Sequence, residues 1–331
     1  MRTIGFFNNK GGVGKTSLVY HVSWMLAELG VRTIAADFDP QANLTSMFLD
    51  DDDVEKIWTQ SVRPTIYGAV SPQFRGVGDV RQPELNPRSE RLALLVGDLD
   101  LSRFEDDLSQ NWPKCADGDE RAFRVTSALG RALGMAGEHF DAELALVDVG
   151  PNLGALNRAA LLACDFVVVP LGADLFSLQG LRNMGPTLRD WRKLWTERKS
   201  RNPDPALVLP DGAMQPVGYI VMRHSVFAGR PAKAFEQWMR RIPGQYRDSV
   251  IGSPADQPDD PSEDPNCLAR LKDYRSLMPL AQESRKPMFL LRPADGAFGS
   301  HYNAVQDCYR DFKVLTSKIL ERCGAPASAP V

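Results

Sequence analysis

Two textures alternate along the chain: short apolar runs and longer stretches of helical period. The apolar runs fall at residues 3–7, 33–36, 92–96, 144–147, 166–169, 217–221 and 288–291. Each is four or five residues long and mostly aliphatic or aromatic, which reads as a strand buried on both faces. Between them, apolar residues recur every three or four positions. Leu18, Val19, Val22, Leu26 and Leu29 are followed by Gly30, a helix with its stop signal. Val305, Cys308, Phe312, Leu315 and Ile319 mark one face of a final helix at 304–322. Strands alternating with helices predict an α/β fold, with a mostly parallel twisted sheet and helices on both faces, in a single domain over residues 1–323.

Three stretches interrupt this pattern. Residues 63–90 carry prolines and glycines with little periodicity and read as a loop insertion. Residues 253–266 are acidic and proline-rich and read as a second, mobile insertion, and 324–331 as a disordered tail. Pro186 falls inside the helical run 178–199 and is expected to kink or split it.

Composition narrows the classes without choosing one. Hydrophobic content of 43% and charged content of 24% are ordinary for a globular chain. No apolar run reaches 18 residues, so no spanning helix is expected. The first strand starts almost at once, without a secretory signal, which predicts a cytoplasmic protein. Five scattered cysteines without a C-x-x-C pair read as reduced thiols, and four scattered histidines predict no metal cluster. The net charge of −3 carries no global nucleic-acid signal. Residues 178–248, however, hold thirteen Lys and Arg against six Asp and Glu, a local excess that suits contact with a phosphate backbone.

The chemistry is concentrated where predicted strands end. The first strand runs into Asn9, Lys10, Gly11, Gly12, Val13, Gly14, Lys15, Thr16 and Ser17, and the first helix opens there. Strand, glycine loop and helix form the setting of a phosphate-binding loop, although Asn9 stands where the plain Walker pattern has its first glycine. Glycines let backbone amides approach phosphate oxygens, and the helix N-terminus adds partial positive charge. Lys15 suits the β- and γ-phosphates, and the Thr16 hydroxyl suits Mg²⁺. Asp37 and Asp39 follow the second strand, and Asp148 ends the run at 144–147. In parallel sheets ligands sit beyond the strands' C-terminal ends, so all three motifs predict one site. Asp148, by Walker B position, suits the metal shell, as does Asp37.

Lys10 to Thr16 resembles the deviant Walker A motif of the ParA/MinD ATPases. The segments 37–45, 146–154, 167–171, 177–181 and 282–297 are similar to further stretches of that family, in the same order. The resemblance implies an ATPase using ATP and Mg²⁺, slow and stimulated by a ParB-like or cargo-adaptor partner. It implies that Asp39 orients or polarises the attacking water. It implies that Lys10 crosses the interface of an ATP-bound homodimer to reach the partner's phosphates, much as an arginine finger does. It further implies non-specific DNA binding, partition or positioning of a cargo, and nucleoid association. No helix-turn-helix precedes the first strand, so sequence-specific operator binding is not expected. The final helix lacks a basic aromatic anchor, so membrane attachment is not expected either. Two departures stand out: Gly150 replaces the first of two prolines, which loosens the switch loop, and Gly97-Asp98 replaces a Pro-Ser pair. Two other readings remain open: a metabolic enzyme of the dethiobiotin-synthetase type, and a nucleotide-gated subunit of a secretion or defence complex.

Overall fold

The computed structural model describes residues 1–222, 232–253, 260–274 and 276–325, with the backbone alone at 232–235. Eight strands form one sheet: β1 (Arg2–Phe6), β2 (Thr33–Asp37), β3 (Asn86–Ser89), β4 (Leu92–Leu95), β5 (Leu144–Asp148), β6 (Phe166–Gly172), β7 (Gln215–Met222) and β8 (Cys267–Leu271). Their order is β3-β4-β2-β5-β1-β6-β7-β8. Every neighbouring pair is parallel except β3, which runs antiparallel to β4 at the edge. Connections are carried by α1 (Lys15–Glu28), α2 (Asn43–Phe48), α3 (Asp51–Trp58), α4 (Ile66–Arg75), α5 (Glu105–Lys114) and α6 (Glu120–Thr126). The later helices are α7 (Ala128–Phe140), α8 (Ala155–Leu162), α9 (Leu175–Lys199), α10 (Ala232–Tyr246), α11 (Met278–Ser284) and α12 (Ser300–Arg322).

The sheet separates two apolar cores, which is why its central strands are apolar on both sides. One core joins α1, α2, α11 and α12 through residues such as Leu18, Met25, Phe48 and Phe312. The other joins α4 to α10 through Phe104, Phe123, Leu161, Trp195 and Tyr246. The five residues expected to face inward from the last helix are all buried along α12.

The structure departs from the sequence reading in four places. Met288–Leu290, within the run expected as a strand at 288–291, form a 3₁₀ turn, because Pro287 removes a donor and the Met288 amide is committed to a side chain of α1. The strand that completes this edge is β8, whose run Cys267–Leu271 is interrupted by Arg270 and lacked a clear apolar signature. The segment 63–90 holds a buried helix and the edge strand β3 instead of a plain loop. Thr65 caps α4 by accepting from the Gly68 amide at 3.1 Å, and Gly76 ends it at φ 67°, so two good caps outweigh Pro72. Pro186 does not split α9, which runs unbroken from Leu175 to Lys199. Leu178, Leu181, Met184, Leu188, Trp191 and Trp195 are buried on both sides of it, and their packing outweighs one missing backbone bond. Residues 254–259 of the acidic stretch and 326–331 of the tail lie outside the described residues.

Candidate nucleotide site

The loop between β1 and α1 is shaped by glycine. Gly12 and Gly14 take φ of 72° and 82°, the left-handed region that other residues enter only at a cost. Gly14 is the N-cap of α1 and offers no side chain, so no side chain satisfies the first amides of the helix. A helix N-terminus left this way is a site for an anion. Lys15 is buried, and its Nζ donates to the Lys10 carbonyl at 3.4 Å, arching over the same loop. Burial lowers its pKa, and the charges of Asp148 and Asp39 oppose that shift.

Strand register brings the acids together. Asp37 and Asp148 are paired positions at the C-terminal ends of β2 and β5, and Asp148 also pairs with Phe6 just before the loop. Asp37 is fully buried, and its Oδ2 accepts from the Thr45 amide and hydroxyl, both at 2.8 Å. Its Oδ1 accepts from the Asp39 amide at 3.3 Å. Burial, aided by the charge of Asp39, raises the Asp37 pKa to about 7. Asp148 is also fully buried, but among the described residues neither of its oxygens has a partner at hydrogen-bond geometry. Burial, then Asp37 and Asp39, push its pKa well up, while the nearby Thr16 hydroxyl and Lys15 favour the charged form. Asp39 is buried, and its Oδ1 accepts from the Gln41 amide at 3.0 Å.

A partnerless buried carboxylate beside a threonine hydroxyl at a phosphate loop fits Mg²⁺. That ion keeps several waters and takes phosphate oxygens plus one or two protein ligands. Among the described residues no three His, Cys, Asp or Glu side chains converge as a cage, so the donor set suits a phosphate-shared ion and not an all-protein one. Thr16 and Asp148 are the residues free to hold it. Both oxygens of Asp37 are already engaged by protein donors.

Lys10 points elsewhere. Its Nζ lies 2.6 Å from Asp174 Oδ2 and 5.8 Å from the ring centre of the exposed Phe176. Asp174 is also the N-cap of α9, accepting from the Ser177 amide at 2.9 Å. Burial is the largest single influence and would raise the Asp174 pKa, but the Lys10 bond and charge together with the Ser177 and Phe176 amides outweigh it and the net shift is downward.

The segment after β5 is tied down despite Gly150. Asn157 Nδ2 donates to the carbonyls of Gly150 and Asn152, both at 2.8 Å. Glu105, at the start of α5, accepts from the Ala155 and Leu156 amides at 2.6 and 2.8 Å and so caps α8 from outside. A Cβ at Gly150 would lie 3.5 Å from Asp39 Oδ1, and one at Gly11 would lie 4.0 Å from Pro151, which places this loop against the phosphate loop. Together these walls border a cavity of about 840 Å³ that continues past Thr16 and Asp39 to Met222, Tyr274, Lys286 and Phe312. Lys10 and Asp148 do not line it. Thr45, Glu105, Asn157 and Asp174 escaped the sequence reading, although Asp174 with Ser177 three residues on is a legible N-cap signal.

The basic excess at 178–248 is smaller in space than in sequence. Arg223, Arg230 and the Lys233 side chain lie outside the described residues. Arg182, Arg189, Arg192, Lys199, Arg201 and Arg247 are spent on protein oxygens. Lys193, Arg240 and Arg241 are exposed.

Known proteins share both the sequence and the fold. The AAA domain family (AAA_31) matches residues 1–199. Protein IncC of Escherichia coli is 29% identical over 195 residues, 58% of this chain and 46% of IncC. The chromosome partitioning protein ParA of Caulobacter vibrioides is 30% identical over 188 residues, 57% of this chain and 62% of that ParA. The chain thus spans about half the length of the first of these relatives and less than two thirds of the second. Among solved structures, a Corynebacterium diphtheriae protein is 29% identical, with a TM-score of 0.61 over 76% of this chain and 89% of its own. The McdA–ATP complex of Cyanothece, 14% identical, has a TM-score of 0.63 over 98% of this chain and 97% of its own, and shares the fold. By the family match over residues 1–199 and the shared fold, this chain belongs to the ParA/MinD family of P-loop NTPases.

Proposed function

We propose that the protein is an ATP-switched ATPase that dimerises around ATP, binds DNA without sequence preference and positions a DNA or protein cargo. The observation that carries this reading is the pairing of an uncapped, glycine-built helix N-terminus with a buried, partnerless Asp148 beside Thr16. The amides from Gly11 to Ser17 and Lys15 hold the phosphates. Thr16 and Asp148 hold Mg²⁺, which neutralises phosphate charge. Asp37, fixed by Thr45, supports that shell from behind. Asp39, close to Gly150, orients the attacking water. Lys10 leaves Asp174 and reaches the phosphates of the partner subunit. A ParB-like or adaptor protein triggers hydrolysis and releases the dimer.

The test is nucleotide binding and phosphate release on two variants. Lys15→Ala is expected to weaken ATP binding by about tenfold to a hundredfold, the scale of a lost charged hydrogen bond. Asp39→Ala is expected to bind ATP normally and to turn over about a hundredfold more slowly. Normal hydrolysis by Asp39→Ala contradicts its role.

A further inference from the structure

We propose that the DNA-bound state grips duplex phosphates through Arg158 and Arg198, two unpaired guanidiniums over Trp112 where α5, α8 and α9 meet. This rests on the DNA-binding reading above and names the surface that reading needs.

The Arg158 guanidinium lies 4.5 Å from the Trp112 ring centre, and that of Arg198 lies 3.9 Å from it. Trp112 is itself stacked on Trp195, at 5.9 Å between ring centres, so the platform is rigid. Among the described residues neither arginine has a hydrogen-bond or ion-pair partner, and Arg198 Nη1 is buried without one. The acid nearest in effect to Arg158 is Glu105, and both its oxygens are spent on the amides that open α8. Burial and the neighbouring Arg198 charge lower the Arg158 pKa to about 10. Glu197 acts on Arg198 only at longer range, and two partly desolvated cations without an ion-pair partner among the described residues are a site for an oxyanion.

One further cation lies at the end of the same helix. Lys114 is exposed at the end of α5, the helix that carries Trp112. Arg201, just past α9, is committed to the Ala116 carbonyl and ties the end of α9 to the same corner. Paired guanidiniums on a flat platform suit the phosphates of a duplex. The position also supplies a route for ATP dependence. Arg158 directly follows Asn157, which holds Gly150 and Asn152 of the switch loop. Glu105 ties the first turn of α8 to the helix that carries Trp112. Movement of that loop on nucleotide exchange therefore shifts Arg158 against Arg198.

The test uses the full chain with ATP and Mg²⁺, and fluorescence anisotropy on several unrelated duplexes at a series of salt concentrations. Arg158→Gln/Arg198→Gln should bind every duplex at least about tenfold more weakly, with a salt slope lower by about two, one for each phosphate no longer neutralised. Its nucleotide binding, and its oligomeric state with ATP, should match the wild type. Arg158→Lys/Arg198→Lys should keep the slope, since the charges remain. If the double Gln variant does not fold, Arg198→Gln alone should lower the slope by about one. Wild-type affinity and slope in a folded Gln variant would overturn this site while leaving DNA binding intact. A wild type that dimerises with ATP yet binds no duplex would overturn the DNA reading and this site with it. Binding of polyglutamate at these arginines, with no duplex binding, would also overturn it.

Discussion

At the scale of single residues, the site turns on two aspartates with the same burial and different company. Register alone sets Asp37 beside Asp148. Thr45 then satisfies one of them and leaves the other open. Gly97 belongs to this arrangement: its amide donates to Thr45 Oγ1 at 2.8 Å, and a Cβ there would sit 2.8 Å from the Asp37 carboxyl. The departure from a Pro-Ser pair at 97–98 is therefore a packing requirement of this chain. Asp98 adds a second reason, since it is buried and accepts from Arg63 and Thr65. Gly97→Ala should lower stability by about 1–3 kcal/mol, the usual cost of overpacking a full site. Chemical denaturation measures it, and an unchanged midpoint would contradict the close approach.

At the scale of elements, the phosphate helix is buttressed from the far end of the chain. His21 on α1 meets the Ser17 carbonyl with Nδ1 at 2.7 Å and accepts the Met288 amide with Nε2 at 3.2 Å. Its ring stacks on Phe312 of α12 at 5.0 Å. These partners demand a neutral ring protonated at Nδ1, and burial lowers the His21 pKa to about 4. The folded-state pKa lies below the unfolded value near 6.5, so the stabilisation is complete above pH 6.5. It is lost as pH falls from there toward about 4, and the loss reaches about 3 kcal/mol. The stability gap between wild type and His21→Asn should therefore narrow across that window. A gap constant from pH 7 to pH 4.5 would contradict the clamp.

This clamp also shows where sequence stops being informative. The glycine loop, Asp37, Asp39 and Asp148 were legible because each sits at a fixed offset from a strand end. The turn within 288–291 was not, because an apolar run of four residues reads alike as a strand or as a buried turn, and its amide partner lies 267 positions away. Edge strand β3 contains Pro87 and is only half buried, so it carried little strand signal. The basic stretch at 178–248 misled in the opposite direction. Charge counted along the chain cannot show that six of its arginines and lysines are already held by protein oxygens.

At the scale of the whole molecule, the central question is what Lys10 does when ATP is bound. In this conformation it is held within its own chain by Asp174, which also caps the 25-residue helix α9. Leu175 and Phe176 beside it are exposed apolar side chains, a surface suited to cover by a second copy. A half-buried ion pair is worth little more than about 1 kcal/mol, so phosphate charge across the proposed interface would compete with it readily. The most direct test is light scattering on the Asp39→Ala protein with Mg²⁺ and either ATP or ADP, with and without Lys10→Ala. The account predicts a dimer with ATP, a monomer with ADP, and a monomer in both states once Lys10 is removed while nucleotide still binds. A dimer that forms without ATP, or one that forms equally well without Lys10, would contradict it.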